Sequence, residues 1–138
     1  RRRGGGSAAD DPAPALRGSA LRQAPSIDAY GGGGFRIDGV RHEGSVLIID
    51  DAPQPWGATA VEALTAADFE AVFNAPVGSV EFVLLGTGAV QALPPRAVRE
   101  AVAAAGMGLE FMASEAAART YNLLASEGRR LACALIAV

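Results

Sequence analysis

Two segments of this sequence carry groups that could bind a small anion. An apolar strand, Val80 to Leu85, runs into the turn 86–88, Gly-Thr-Gly, and further along Ser114 is placed to begin a helix. Free N–H groups at a helix start, the helix dipole and a nearby Arg favour a carboxylate or phosphate. If the strands that end near 85 and 112 run parallel, both segments lie at one edge of the sheet. The predicted ligand-binding residues are Gly86, Thr87, Gly88, Ser114, Arg119, Tyr121 and Asn122.

The same residues also have a purely structural interpretation. Glu115 and Arg119 are four residues apart and can pair on a solvated helix face, while the glycines can simply permit a tight turn. Two common nucleotide sites are disfavoured. The third glycine of a G-x-G-x-x-G fingerprint would fall on Gln91, and the sequence has no Lys for a P-loop. Both interpretations of the turn stay open at this stage.

A recognisable catalytic set is missing from the sequence. His42, the only histidine, lies in a hairpin without a positioned partner for proton transfer. Asp50 and Asp51 are adjacent, so in a strand they would point to opposite faces and make a poor metal pair. Cys133 lies in an apolar strand and is expected to be inert core. We therefore predict no catalytic residue, no metal and no cofactor, and we favour a non-enzymatic role over an enzyme.

Three aromatic residues are candidates for contact with a protein partner. Tyr30 and Phe35 flank four consecutive glycines, and Trp56 lies between Pro55 and Gly57. Since Trp is enriched in binding hot spots, we predict an interaction surface at Tyr30, Phe35 and Trp56. The alternative for Trp56 is a lid over the core.

The composition indicates a globular protein and argues against a nucleic-acid-binding or membrane-spanning one. A chain of 138 residues, half of them apolar, suits one globular domain. Its net charge of −3 argues against nucleic acid as a partner, because phosphate binding needs a basic surface. No apolar run reaches the roughly 18 to 20 residues of a membrane helix. We expect a cytoplasmic protein with no integral membrane segment.

The order of patterns along the chain predicts an α/β protein. Residues 1–26 are rich in Gly, Ala, Pro, Ser and Arg and are predicted to be a disordered tail, leaving 27–138 as a single domain. Asp38-Gly39 predicts a hairpin turn between Phe35–Ile37 and a return strand at 45–49, followed by a loop at 50–57. Strands then alternate with single helices, which is typical of a three-layer α/β sandwich.

Helix boundaries are marked by local signals. Thr65, with Asp68 three residues later, predicts one helix start. Pro94 and Pro95 open a second helix, and Ser114 is predicted to cap a third. The apolar segment 131–138 is predicted to be a last strand inside the sheet.

These residues also carry a family resemblance. From about Ile27 to Val138, the chain resembles the small domain shared by the mitochondrial complex I (NADH dehydrogenase) assembly factor three, the animal adipogenesis-associated protein and many uncharacterised bacterial and archaeal proteins. The matching positions are Tyr30, Gly34-Phe35, Trp56, Gly86-Thr87-Gly88, Arg119-Thr120-Tyr121-Asn122 and Glu127-Gly128-Arg129.

The resemblance implies a single three-layer α/β/α domain with a mixed sheet, an N-terminal β-hairpin and an antiparallel last strand. It also implies a non-enzymatic role in building a respiratory complex, peripheral to the inner membrane, with protein partners among complex I subunits or assembly proteins. Many similar proteins have a cysteine where this chain has Ala118, so thiol chemistry is not available at that position. The alternative function is a small anionic ligand-binding protein, or an unrecognised enzyme, that uses the Gly86–Gly88 loop and the helix start at Ser114.

Overall fold

The computed structural model describes residues 23–138, so most of the predicted tail lies outside the described residues. The first elements form a three-stranded antiparallel sheet of β1 (Ile27–Gly31), β2 (Gly34–Ile37) and β3 (Val40–Glu43). Two-residue turns, Gly32-Gly33 and Asp38-Gly39, join these strands, and all four turn residues have positive φ. Type I′ turns require this conformation, which explains the choice of Gly and Asp there.

A five-stranded mixed sheet forms the centre of the molecule. Its strands are β4 (Ser45–Ile49), β5 (Ala52–Trp56), β6 (Phe82–Gly86), β7 (Gly108–Met112) and β8 (Leu131–Leu135), in the order β5-β4-β8-β6-β7. Strands β7 and β8 both run parallel to β6. Strand β4 is antiparallel to β5 and to β8, so the last strand has one antiparallel and one parallel neighbour.

Two predictions about the first half of the chain are wrong. The return strand after Asp38-Gly39 is β3, whereas 45–49 is β4 of the central sheet, and its continuous burial fits a strand covered on both faces. The predicted loop at 50–57 contains β5, which follows a two-residue turn of Asp50 and Asp51, both with positive φ. Pro53 and Pro55 are tolerated there because β5 is an edge strand.

Three helices connect the later strands. Helix α1 (Glu70–Phe73) follows two short 3-10 turns, and α2 (Arg96–Ala104) and α3 (Ser114–Ser126) flank β7 in the chain. The predicted start at Thr65 is confirmed, since its N–H donates to the Asp68 carboxylate at 2.8 Å. Within residues 23–138, no helix has both the length and the apolar character needed to cross a membrane.

The central sheet is buried on both faces by different elements. On one face, Leu85 and Ala134 pack with α1, α2 and Trp56; on the other, Leu84 and Cys133 pack with α3 and the small sheet. These two cores make a three-layer α/β/α domain, as predicted. The arrangement leaves the carboxyl ends of β6 and β7 beside the start of α3.

Candidate functional site

The Gly-Thr-Gly turn and the start of α3 meet at one edge of the central sheet. The Ser114 N–H donates to the Gly88 carbonyl at 2.8 Å, and the Gly88 N–H donates to Ser114 Oγ at 3.0 Å. This contact follows from the parallel pairing of β6 and β7, which brings their carboxyl ends together. Residues 86–93 and 113–116 form this edge, which is called the rim below.

Ser114 has a structural role at the rim. Its side chain is fully buried, and its hydroxyl donates to the Ile136 carbonyl at 2.7 Å while accepting from Gly88. The predicted capping role of Ser114 is wrong: the N-cap is Ala113, and no side chain caps α3. Its hydroxyl instead joins the turn, the helix and the chain just beyond β8.

Gly86 and Thr87 explain why the turn has this composition. A Cβ atom on Gly86 would lie 2.8 Å from Ser114 Oγ and 2.9 Å from Ser114 Cα, so only glycine fits. Thr87 is 5% exposed, and its Oγ1 donates to the Val90 carbonyl at 2.7 Å and accepts from the Ala92 N–H at 3.2 Å. The threonine therefore holds the loop that follows the turn.

That loop displays two apolar side chains that sequence reasoning missed. Val90 is 68% exposed and Leu93 is 63% exposed, while Thr87 holds the backbone of the loop at Val90 and Ala92. A loop that is anchored by hydrogen bonds and exposes apolar side chains is a typical contact surface for a partner. The signal in the sequence was two apolar residues between the Gly-Thr-Gly turn and Pro94.

Charged and aromatic side chains flank the rim on the α3 side. Arg119 and Glu115 form an exposed ion pair at 2.9 Å on successive turns of α3. A hydrogen bond to Glu115 is the main cause of a raised pKa at Tyr30, and the Arg119 guanidinium, followed by Tyr30, lowers the pKa of Glu115. A cavity of about 290 Å³ is lined by Tyr30, Gly31, Gly88, Ala89, Glu115 and Val138.

The remaining predicted ligand residues lie away from the rim. Tyr121 is fully buried in the core between α3 and the central sheet. The Asn122 side chain accepts from the Ile27 N–H at 2.8 Å and donates to the Ile27 carbonyl at 2.9 Å. The structure thus brings residues 86–88 together with Ser114 and places Arg119 nearby. Tyr121 instead packs in the core beneath α3, and Asn122 joins α3 to the small N-terminal sheet. Anion binding at the rim stays a prediction.

The three predicted interaction residues do not share one exposed surface. Phe35 is fully buried, and Trp56 is 8% exposed, with its Nε1–H donating to the Asp68 carbonyl at 2.8 Å. The Trp56 ring also contacts Phe69 edge-on at 5.5 Å, which corresponds to the lid alternative. Tyr30, 41% exposed, is the member of this set that lies at the surface.

The other titratable residues considered in the sequence have separate environments. His42 lies half-buried on β3 opposite Phe35 of β2, and Cys133 is fully buried in β8, where desolvation raises the pKa of its thiol. Within the described part of the chain, no three His, Cys, Asp or Glu side chains are grouped so as to hold a metal ion.

A second cavity lies between β7 and α3 and was not predicted. It has a volume of about 480 Å³. Its lining residues are Glu81, Phe82, Leu84, Glu110, Met112, Thr120, Leu124 and Arg129.

Comparisons with known proteins match nearly all of the described chain. Residues 27–136 match a family described as protein of unknown function (DUF498/DUF598). An uncharacterised protein of Rhodobacter capsulatus is 41% identical over 110 residues, covering 80% of this chain and 82% of that protein. The crystal structure of an outer membrane protein from Bartonella henselae has a TM-score of 0.76 and 33% identity, covering 85% of this chain and 98% of that one.

A eukaryotic relative has a more specific description. The human NADH dehydrogenase (ubiquinone) 1 alpha subcomplex assembly factor 3 is 30% identical over 114 residues, which cover 83% of this chain. This chain spans about three fifths of the human protein, 61% of its length.

Proposed function

We propose that this chain, which belongs to the family of proteins of unknown function DUF498/DUF598, is a non-enzymatic interaction protein that assists assembly of respiratory complex I. The family includes the human complex I assembly factor, and 30% identity over 83% of this chain is the observation that supports the proposal. A shared fold alone does not fix a function, so the proposal also needs a contact surface.

The rim is the surface that we assign to this role. Val90 and Leu93 are exposed apolar side chains on the loop that follows the Gly-Thr-Gly turn, and Tyr30 adds an exposed aromatic ring beside Gly88. The exposed Glu115–Arg119 pair gives this apolar centre a polar border. Protein interfaces commonly combine an apolar centre that contains an aromatic residue with a surrounding border of polar residues. In this proposal the protein acts from the cytoplasmic side of the inner membrane, on subunits or assembly proteins of the complex.

The proposal is tested by recovering partners of the tagged protein from its own cells. We expect complex I subunits or assembly proteins in the eluate, and lower NADH dehydrogenase activity in membranes of a deletion strain. The same tag on an unrelated small α/β protein is the control. Recovery of no such partner, together with unchanged activity in the deletion strain, would reject the proposal.

Binding of a small anion is the second candidate function. It is favoured by the exposed Arg119 guanidinium one turn beyond Glu115 on α3, whereas the cavity of about 290 Å³ beside Gly88 is lined by the Glu115 carboxylate. Phosphate or acetate titrated into the labelled protein should shift the amide signals of Gly86, Gly88 and Ser114. The shifts should be lost in Arg119→Ala. Absence of shifts at those three amides would end this candidate.

A further inference from the structure

Strand β7 is an edge strand with unused backbone groups. Among the strands of residues 23–138 it pairs only with β6, and it ends the order β5-β4-β8-β6-β7. The Gly108 N–H donates to the Glu81 carbonyl at 3.3 Å, and the Met112 carbonyl accepts from the Thr87 N–H at 2.8 Å, so both residues face β6. Backbone direction alternates along a strand, and therefore the N–H and C=O groups of Leu109 and Phe111 point away from the sheet. Such an edge is a template for another strand.

Apolar side chains accompany this edge on both faces of the sheet. Leu109 and Phe111 are half-buried against the core on the α2 side. Met112 is half-buried on the opposite face, beside the cavity of about 480 Å³ between β7 and α3. Phe82, Leu84 and Leu124 also line this cavity. An added strand would therefore place its alternate side chains against apolar surface.

One carboxylate at this edge lacks a counter-charge. Glu81 pairs with Arg129 at 3.4 Å, and the Arg129 guanidinium lies 5.2 Å from the centroid of the Phe82 ring. Glu110, exposed at the middle of β7, forms no ion pair with any residue of the described range 23–138. The cavity between β7 and α3 is therefore lined by two carboxylates, Glu81 and Glu110, and one guanidinium, Arg129, which leaves one negative charge unbalanced.

We propose that the β7 edge binds an extended segment of a partner protein as a sixth strand. The segment would pair with the backbone of Leu109 and Phe111. It would place apolar side chains beside Leu109 and Phe111 on the α2 face, and an Arg or Lys opposite Glu110 on the cavity face. A second copy of this chain fits less well, because antiparallel pairing of two β7 strands about their midpoint sets Glu110 opposite itself. This surface is separate from the rim and does not depend on a role in complex I.

The test uses two synthetic peptides of alternating sequence, one with valine and arginine and one with valine and glutamate. We expect the arginine peptide to shift the amide signals of residues 108–112 and to slow hydrogen exchange at Leu109 and Phe111. The rim amides of Gly86 and Gly88 should not respond. The glutamate peptide should bind more weakly by about five-fold, a typical effect of one exposed charge pair.

A charge reversal at β7 provides the matched control. Since Glu110 is exposed and unpaired, Glu110→Arg should fold with an unchanged melting temperature and should reverse the preference between the peptides. Glu100→Arg, on the exposed face of α2, should leave the preference unchanged. Three results would overturn the proposal: no shifts at millimolar peptide, equal shifts with both peptides, or shifts of the β7 amides with protein concentration alone.

Discussion

At the scale of single residues, the hydroxyl of Ser114 shows how the rim is held together. It donates to the Ile136 carbonyl and accepts from the Gly88 N–H, and all three groups are removed from water. A serine before a run of alanines is a common signature of a helix cap, which is why the sequence predicted a different role. The partners of this hydroxyl lie far away in the chain, so local pattern could not identify them.

Ser114→Ala should lower the free energy of unfolding by about 2–3 kcal/mol, because it leaves a buried carbonyl and a buried N–H without their partner. Ser126→Ala on the same helix is the control, since Ser126 is exposed and bonds only within its own turn. Urea denaturation measures both. A loss for Ser114→Ala no larger than that for Ser126→Ala would contradict the proposed role of the hydroxyl.

Gly86→Ala should destabilise the protein by about 1–3 kcal/mol, because the new methyl group would displace Ser114 Cα from a contact of 2.9 Å. Gly57→Ala is the matched control: its added methyl group meets nothing within 4 Å, and its φ is not positive. Thermal unfolding of the two variants is the measurement. Equal melting temperatures would show that the turn relaxes around the methyl group.

At the scale of elements, Asn122 joins α3 to the small N-terminal sheet. Its amide makes both an acceptor and a donor bond to Ile27, so it occupies the position that a neighbouring strand would take. The other edge of β1 is paired with β2, from Ile27 opposite Ile37 to Gly31 opposite Gly34. The sequence predicted Asn122 as a ligand residue because it belongs to the polar stripe of the last helix. Its partner Ile27 lies 95 residues earlier in the chain, so local pattern could not identify the contact.

Asn122→Ala should increase the hydrogen-exchange rate of the Ile27 amide by about tenfold, because one amide–carbonyl hydrogen bond contributes about 1 kcal/mol or more. Exchange in β6 and β8 should be unchanged, since those strands are paired within the central sheet. Asn74→Ala, at an exposed position after α1, is the control variant. Unchanged protection of Ile27 would mean that β2 alone holds β1.

At the scale of the whole molecule, the pattern of apolar runs predicted the strands of the second half of the chain correctly but did not predict all the strands of the first half. Strands β6, β7 and β8 were predicted because each is an apolar run bounded by turn residues. Strand β5 was missed because Pro53 and Pro55 are compatible with a strand only at an edge, and edge position depends on the complete sheet. The burial of Phe35 and Trp56 likewise depends on which layers cover them.

Cys133 reports on unfolding of the whole domain. Burial raises the pKa of its thiol in the folded state, so its contribution to stability is present below the unfolded pKa of about 8.5 and is lost as pH rises above it. The free energy of unfolding should therefore be about 1 kcal/mol lower at pH 9.5 than at pH 8. Cys133→Ala should remove this dependence in matched urea titrations. An equal decline in both proteins would assign it to other groups.

The rim is the surface on which the proposed function depends, so altering it tests that function most directly. The double variant Val90→Ser with Leu93→Ser replaces two exposed apolar side chains and should leave the melting temperature within about 2 °C of the parent protein, because exposed substitutions have small effects. Val77→Ser with Leu123→Ser replaces the same residue types at exposed positions away from the rim. Both variants and the parent protein would be tagged and recovered from cells.

We predict that complex I subunits or assembly proteins are recovered with the parent protein and with the control variant, and that their yield falls at least tenfold with the rim variant. Equal recovery with all three proteins would show that partners bind elsewhere and would contradict the rim as the contact surface.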